Sequence, residues 1–137
     1  MEMIRSFVAF DIDDEQVLGN LSKVQGTLLG SGADLKIVQP QNIHITLKFL
    51  GDIPANMVDE IHEEMERVTF EPFDVEIRGL GAFPNLRNMR VVWIGMHKGA
   101  ERLRDVNSQL ESNLRNLGFK PDPKGFSPHL TICLLYT

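Results

Sequence analysis

A single cysteine among 137 residues, Cys133, leaves no partner for an intramolecular disulfide, so this chain has to hold itself together by burial. Its length suits one compact domain burying roughly two-thirds of the surface that the unfolded chain exposes. No apolar stretch approaches the roughly 18 residues that a membrane span needs, so no membrane partner is expected. Met1 to Arg5 lead directly into a strand-like run, and with one thiol the expected compartment is the reducing cytoplasm. Positive charge is also scarce. Fourteen Lys and Arg against nineteen Asp and Glu leave a net charge of −5. That balance argues against wrapping a long nucleic acid, whose affinity comes from many cations neutralising phosphates. It still allows a small site that grips one phosphate, and Lys36, Lys48, Arg78, Arg87, Arg90, Lys120 and Lys124 are available to build its field. Metal signatures are missing too: there is no Cys/His cluster and no His-Glu-x-x-His arrangement. Gly30-Ser31-Gly32 lacks the lysine and the strand-loop-helix context of a phosphate loop.

Strand and helix periods alternate along the chain. Ser6 to Phe10 reads as a strand, and Asp13 or Asp14 can cap a helix whose face is Val17, Leu21, Val24 and Leu28, ended by Gly30 and Gly32. Ala33 to Val38 and Ile43 to Leu50 read as paired strands about the turn Gln39-Pro40-Gln41-Asn42. A second helix is predicted over 55–68, with Met57, Val58, Ile61, Met65 and Val68 as its stripe. Phe73, Val75 and Ile77 alternate as a half-buried strand, Arg90 to Gly95 reads as a buried one, and Pro84 to Asn88 as the loop between them. A third helix over 100–117 carries Leu103, Val106, Leu110, Leu114 and Leu117, and a proline-rich connection from Lys120 to Pro128 leads to a last strand. The order predicts an α+β fold with helices covering antiparallel sheets.

What stands out is a repeated tripeptide, His44-Ile45-Thr46 and His129-Leu130-Thr131. With four histidines and five threonines, a shuffled chain would hold roughly 0.15 copies of His-x-Thr, so two copies favour function over chance. Each follows a helix and a polar, proline-containing approach, which suggests two related lobes. Strand alternation sets His44 and Thr46 on one face with Asn42 and Lys48, and Ile43, Ile45, Leu47 and Phe49 on the other. In the second copy Ser127, His129, Thr131 and Cys133 share a face, opposite Pro128, Leu130, Ile132 and Leu134. Imidazole, with an ordinary pKa near ~6.5, can take or give a proton near neutral pH. A threonine hydroxyl can donate to a non-bridging phosphate oxygen at little cost in rotamer freedom. Two copies supply a base, an acid and two phosphate donors, a set that needs no metal.

The other chemically able residues have plainer explanations. His62 lies among Glu63, Glu64 and Glu66 on a solvated helix face, and His97 ends a strand before Lys98-Gly99. Cys133 has the parity of the polar face, but a strand cysteine is more often buried packing. Asp11, Asp13 and Asp14 fit helix capping better than metal binding.

On these residues the chain resembles the two-histidine phosphoesterase superfamily and, within it, the RNA 2′,3′-cyclic phosphodiesterases, also called 2′-5′ RNA ligases. Arg5 to Asp11 is similar to that family's opening strand, and Asn42 to Gly51 to its first catalytic strand. Phe83-Pro84-Asn85 and Val91 to Gly95 are similar to its central region, and Phe126 to Thr131 to its second motif. The resemblance implies a single bilobal, pseudo-symmetric domain over 1–137, with two antiparallel sheets lining a central cleft and helices outside. It also implies no metal and no cofactor. His44 and His129 would be the catalytic pair, His44 as acid and His129 as base, with Thr46 and Thr131 holding the phosphate. The reaction implied is hydrolysis of an RNA 2′,3′-cyclic phosphate end to a 2′-phosphate, with 2′-5′ ligation as its reverse. The implied partners are RNA ends, tRNA halves among them, or small cyclic nucleotides. Two other readings use the same residues: a module that binds an RNA end without turnover, and a phosphodiesterase for a small cyclic nucleotide. Family members continue past the second motif, commonly with a basic residue a few positions on, where this chain has Leu134. From this a chain lacking its C-terminal strand region is expected, with an exposed sheet edge that self-association would cover.

Overall fold

The computed structural model describes residues 2–85, 87 and 89–135. Its strands are β1 (Met3–Asp11), β2 (Leu35–Ile37), β3 (His44–Pro54), β4 (Ile77–Pro84), β5 (Met89–Met96) and β6 (His129–Leu135). Its α-helices are α1 (Glu15–Leu29), α2 (Val58–Glu66) and α3 (Ala100–Arg115), which makes the α+β class plain. None of the described helices is long and apolar enough to cross a membrane. The chain divides into two compact units, each assembled from separate stretches.

One unit takes residues 10–45, 77–97 and 129 onward. Its α1 starts where Asp14, rather than Asp13, accepts the Gln16 and Val17 N–H groups at 2.9 and 3.0 Å. β6 is the central strand: β5 pairs along one edge, and β2 with the start of β3 occupies the other, all antiparallel. The expected β2–β3 hairpin does not form. A 3-10 turn at Pro40–Asn42 interrupts the chain without reversing it, so β2 and β3 follow one another along β6 in one direction. For the same reason β6 presents no open edge along its described residues, which removes the basis for the expected self-association there.

β6 carries a bulge. Thr131 pairs with Trp93 and Cys133 with Val92, so Ile132 is an extra residue and the alternation changes sides. Leu130, Ile132 and Cys133 are fully buried, whereas Leu134 is 41% exposed. The predicted face is corrected accordingly: Cys133 leaves the side of His129 and Thr131, and Leu134 takes it. Gln25 of α1, itself buried, holds the bulge, donating both amide hydrogens, to Ile132 O at 2.9 Å and Val38 O at 2.8 Å. β4 begins later than the alternation of Phe73, Val75 and Ile77 suggests, because 71–76 forms no strand, although Glu76 N–H donates to Lys98 O. Part of the loop predicted at Pro84 to Asn88, namely Leu86 and Asn88, lies outside the described residues.

The other unit takes residues 1–9, 46–76 and 98–128. The predicted α3 stripe is its core: Leu103, Val106, Leu110 and Leu114 are each at most 2% exposed, joined by Ile61 of α2. The α2 stripe is only partly buried, with Val58 and Met65 outside, because the segment opens with a 3-10 turn over Ala55–Met57 that shifts the helical face. Gly99 caps α3 at φ 88°, and a Cβ there would stand 2.4 Å from Asp74 O, so only glycine fits.

Replacing Gln25 by Met keeps its volume and removes both donors, leaving the part-buried Val38 carbonyl without this partner. Chemical denaturation is expected to show a loss of about 1–3 kcal/mol; a loss below 0.5 kcal/mol would exclude the clamp as described.

Candidate active site

His44, Ile45 and the whole second tripeptide lie in the unit built on β6. Ile45 of β3 pairs with Leu130 of β6, and both are buried, 3% and 0% exposed. Antiparallel strands hold directly paired residues on one face, so the neighbours of this pair turn to the opposite face. There His44 stands across from Thr131, and His129 is the diagonal neighbour of His44, about 7–8 Å away by ordinary sheet geometry. Thr46 follows His44 by two residues on β3 and is half-buried like it. His129 is exposed and Thr131 half-buried.

His44 is oriented by its own approach. Its Nδ1 lies 2.7 Å from Asn42 O, and because a carbonyl only accepts, Nδ1 carries the hydrogen in either charge state. Nε2 is thereby left for proton transfer. His129 is flanked by Trp93 at 6.1 Å between ring centroids and a 57° tilt, within the range of tilted aromatic pairs. Trp93 is seated by glycines. A Cβ on Gly81, its partner on β4, would fall 2.2 Å from Cζ2 of the indole, and one on Gly95 would meet Cζ3 at 3.4 Å. Burial in the core pushes the Cys133 thiol up from its ordinary value, which keeps it protonated and unreactive.

Lys48 is not the exposed cation its parity suggested. It is 6% exposed, with Nζ 2.9 Å from Glu111 Oε2 and donating to Lys120 O at 3.0 Å, and Phe49 is outside instead, beneath Arg5. Removing one partner of so buried a pair typically costs about 3–5 kcal/mol. His62 pairs with Glu66 at 2.8 Å on an exposed helix face, as its neighbours suggested. Among the described residues, no group of three or more His, Cys, Asp or Glu is placed to hold a metal ion.

Residues 12–93 match the family model described as LigT-like phosphoesterase. An Archaeoglobus fulgidus protein named RNA 2′,3′-cyclic phosphodiesterase is 42% identical over 135 residues, covering 94% of this chain and 71% of its own. The chain belongs to the LigT-like phosphoesterase family. A second relative of that name, from Aeropyrum pernix, is 38% identical over 116 residues, 85% of this chain and 66% of its own, so this chain spans about two-thirds of the family members it matches. The crystal structure of Escherichia coli LigT complexed with 3′-AMP superposes with a TM-score of 0.80 at 27% identity, over 98% of this chain and 73% of that one. The names of these family members agree with the enzyme class expected from the paired motifs.

Three features of this face were not singled out from sequence: the Asn42 carbonyl, Trp93 and Gly81. A signal existed for Gly81, since a glycine inside a strand marks a close approach. Gly81→Ala is expected to displace the indole and cost about 1–3 kcal/mol of stability by overpacking. The emission of Trp93, the chain's one tryptophan, would shift with it. An unchanged spectrum and midpoint would show that the indole does not occupy the slot.

Proposed function

We propose that this chain hydrolyses 2′,3′-cyclic phosphate ends of RNA to 2′-phosphates with His44 and His129 as acid and base, and Thr46 and Thr131 as phosphate ligands. The observation that carries the reading is the Ile45 to Leu130 pairing, which supports both imidazoles reaching one phosphorus from the open face of adjacent strands. His129 takes a proton from water as its oxygen bonds to phosphorus. His44, protonated at Nε2 and held through Nδ1 by Asn42 O, gives its proton to O3′ as the P–O3′ bond breaks. The products are a 2′-phosphomonoester and a free 3′-hydroxyl. The two threonine hydroxyls donate to the non-bridging oxygens, where negative charge accumulates. Run backwards with an RNA 5′-hydroxyl in place of water, the same proton transfers would form a 2′-5′ linkage. Imidazoles supply both proton transfers, so the scheme uses no metal.

The alternative substrate, a small cyclic nucleotide, takes support from the complex of Escherichia coli LigT with 3′-AMP. Both readings share the catalytic pair and differ in what lies upstream of the terminal phosphate.

His44→Ala and His129→Ala are each expected to lower kcat about 10²–10⁴-fold, and the double variant to lose little more than either single one, because acid and base act in one displacement. Near-full activity in either variant, or fully multiplicative losses, would sink the assignment. Wild-type kcat is expected to give a bell-shaped pH profile that chelator leaves unchanged. Activity lost to chelator and restored by a divalent ion would remove the metal-free scheme.

A further inference from the structure

The open face of the His129 unit can be followed strand by strand through its register. His129 lies beside Gly95, Thr131 beside Trp93, and beyond the Ile132 bulge Leu134 lies between Val91 on β5 and Lys36 on β2. Lys36 therefore shares the side of Thr131 and His129, while its neighbours Leu35 and Ile37 are half-buried. On β2, β5 and β6 this face carries one Lys or Arg, and it is Lys36; Arg90 has the opposite parity from Val91 and Trp93. Lys36 is exposed, and among the described residues no carboxylate lies within ion-pair distance of it.

We propose that Lys36 binds the phosphodiester one nucleotide upstream of the RNA end, and so selects an oligonucleotide over a mononucleotide. The inference rests on the phosphoesterase reading above. Leu134, its strand partner, is three residues past Thr131, roughly 10 Å along β6, too far for the reacting phosphate to be the natural partner of this ammonium. The next phosphate of the strand is a better match for a cation on a long, flexible stem. In a chain of net charge −5 one such cation on the substrate side matters, because general attraction for RNA is weak. A mononucleoside 2′,3′-cyclic phosphate with a free 5′-hydroxyl has no second phosphate for Lys36 to hold.

The test compares Lys36→Gln with wild type on two substrates, a short oligoribonucleotide ending in a 2′,3′-cyclic phosphate and the corresponding cyclic mononucleoside. KM for the oligonucleotide is expected to rise about 5–10-fold, and its salt dependence to lose about 0.7 of a unit of log–log slope, the share of one phosphate contact on a single strand. kcat on both substrates and KM for the mononucleoside should hold, Lys36→Arg should restore the oligonucleotide KM, and Lys23→Gln on the exposed side of α1 should reproduce none of this. Equal effects on the two substrates, or no effect on either, would overturn the role of Lys36 while leaving the phosphoesterase reading standing. Wild-type protein that turns over neither substrate would overturn that reading, and the role of Lys36 with it.

Discussion

One backbone pairing organises the chemistry of this protein: Ile45 against Leu130. Strand parity then leaves no freedom. With those two side chains in the core, His44, Thr131 and His129 must face the other way, and a slip of one residue in either strand would bury them. The pairing also explains how two motifs 85 positions apart in sequence come to lie on adjacent strands. β2 and β3 run end to end along β6 because the Pro40–Asn42 turn breaks the strand without reversing it, and the carbonyl of that same turn fixes the tautomer of His44.

The second motif is held in place by the residues just beyond Thr131. The extra residue at Ile132 sends Cys133 into the core and brings Leu134 out, and Gln25 ties the bulge to the strand that leads toward His44. Fully satisfied buried polar groups of this kind hold a unique backbone path. Electrostatics obey the same geometry. Lys48 is consumed by Glu111, whereas Lys36 on β2 stays exposed on the side of Thr131 and His129.

Much of this was legible in the sequence. The α3 stripe, the Asp14 cap region and the two His-x-Thr strands emerge from period and residue type alone. Pairing partners did not, because a short proline turn between two strands reads as a hairpin, whereas a 3-10 turn can carry the chain straight on. Parity failed at Cys133 and Lys48 for separate reasons: a bulge has no reliable signature in one sequence, and a lysine buries itself when a carboxylate such as Glu111 is supplied from a distant helix. The Trp93 slot needed the register of β4 against β5 to be seen, although Gly81 hinted at it.

The central claim is that both motifs act on one cyclic phosphate, opening it in a defined direction. Phosphorus NMR of the product from an oligoribonucleotide with a 2′,3′-cyclic end tests this most directly. A 2′-phosphomonoester is the predicted product; a 3′-phosphate, or a cyclic end returned intact, would contradict it.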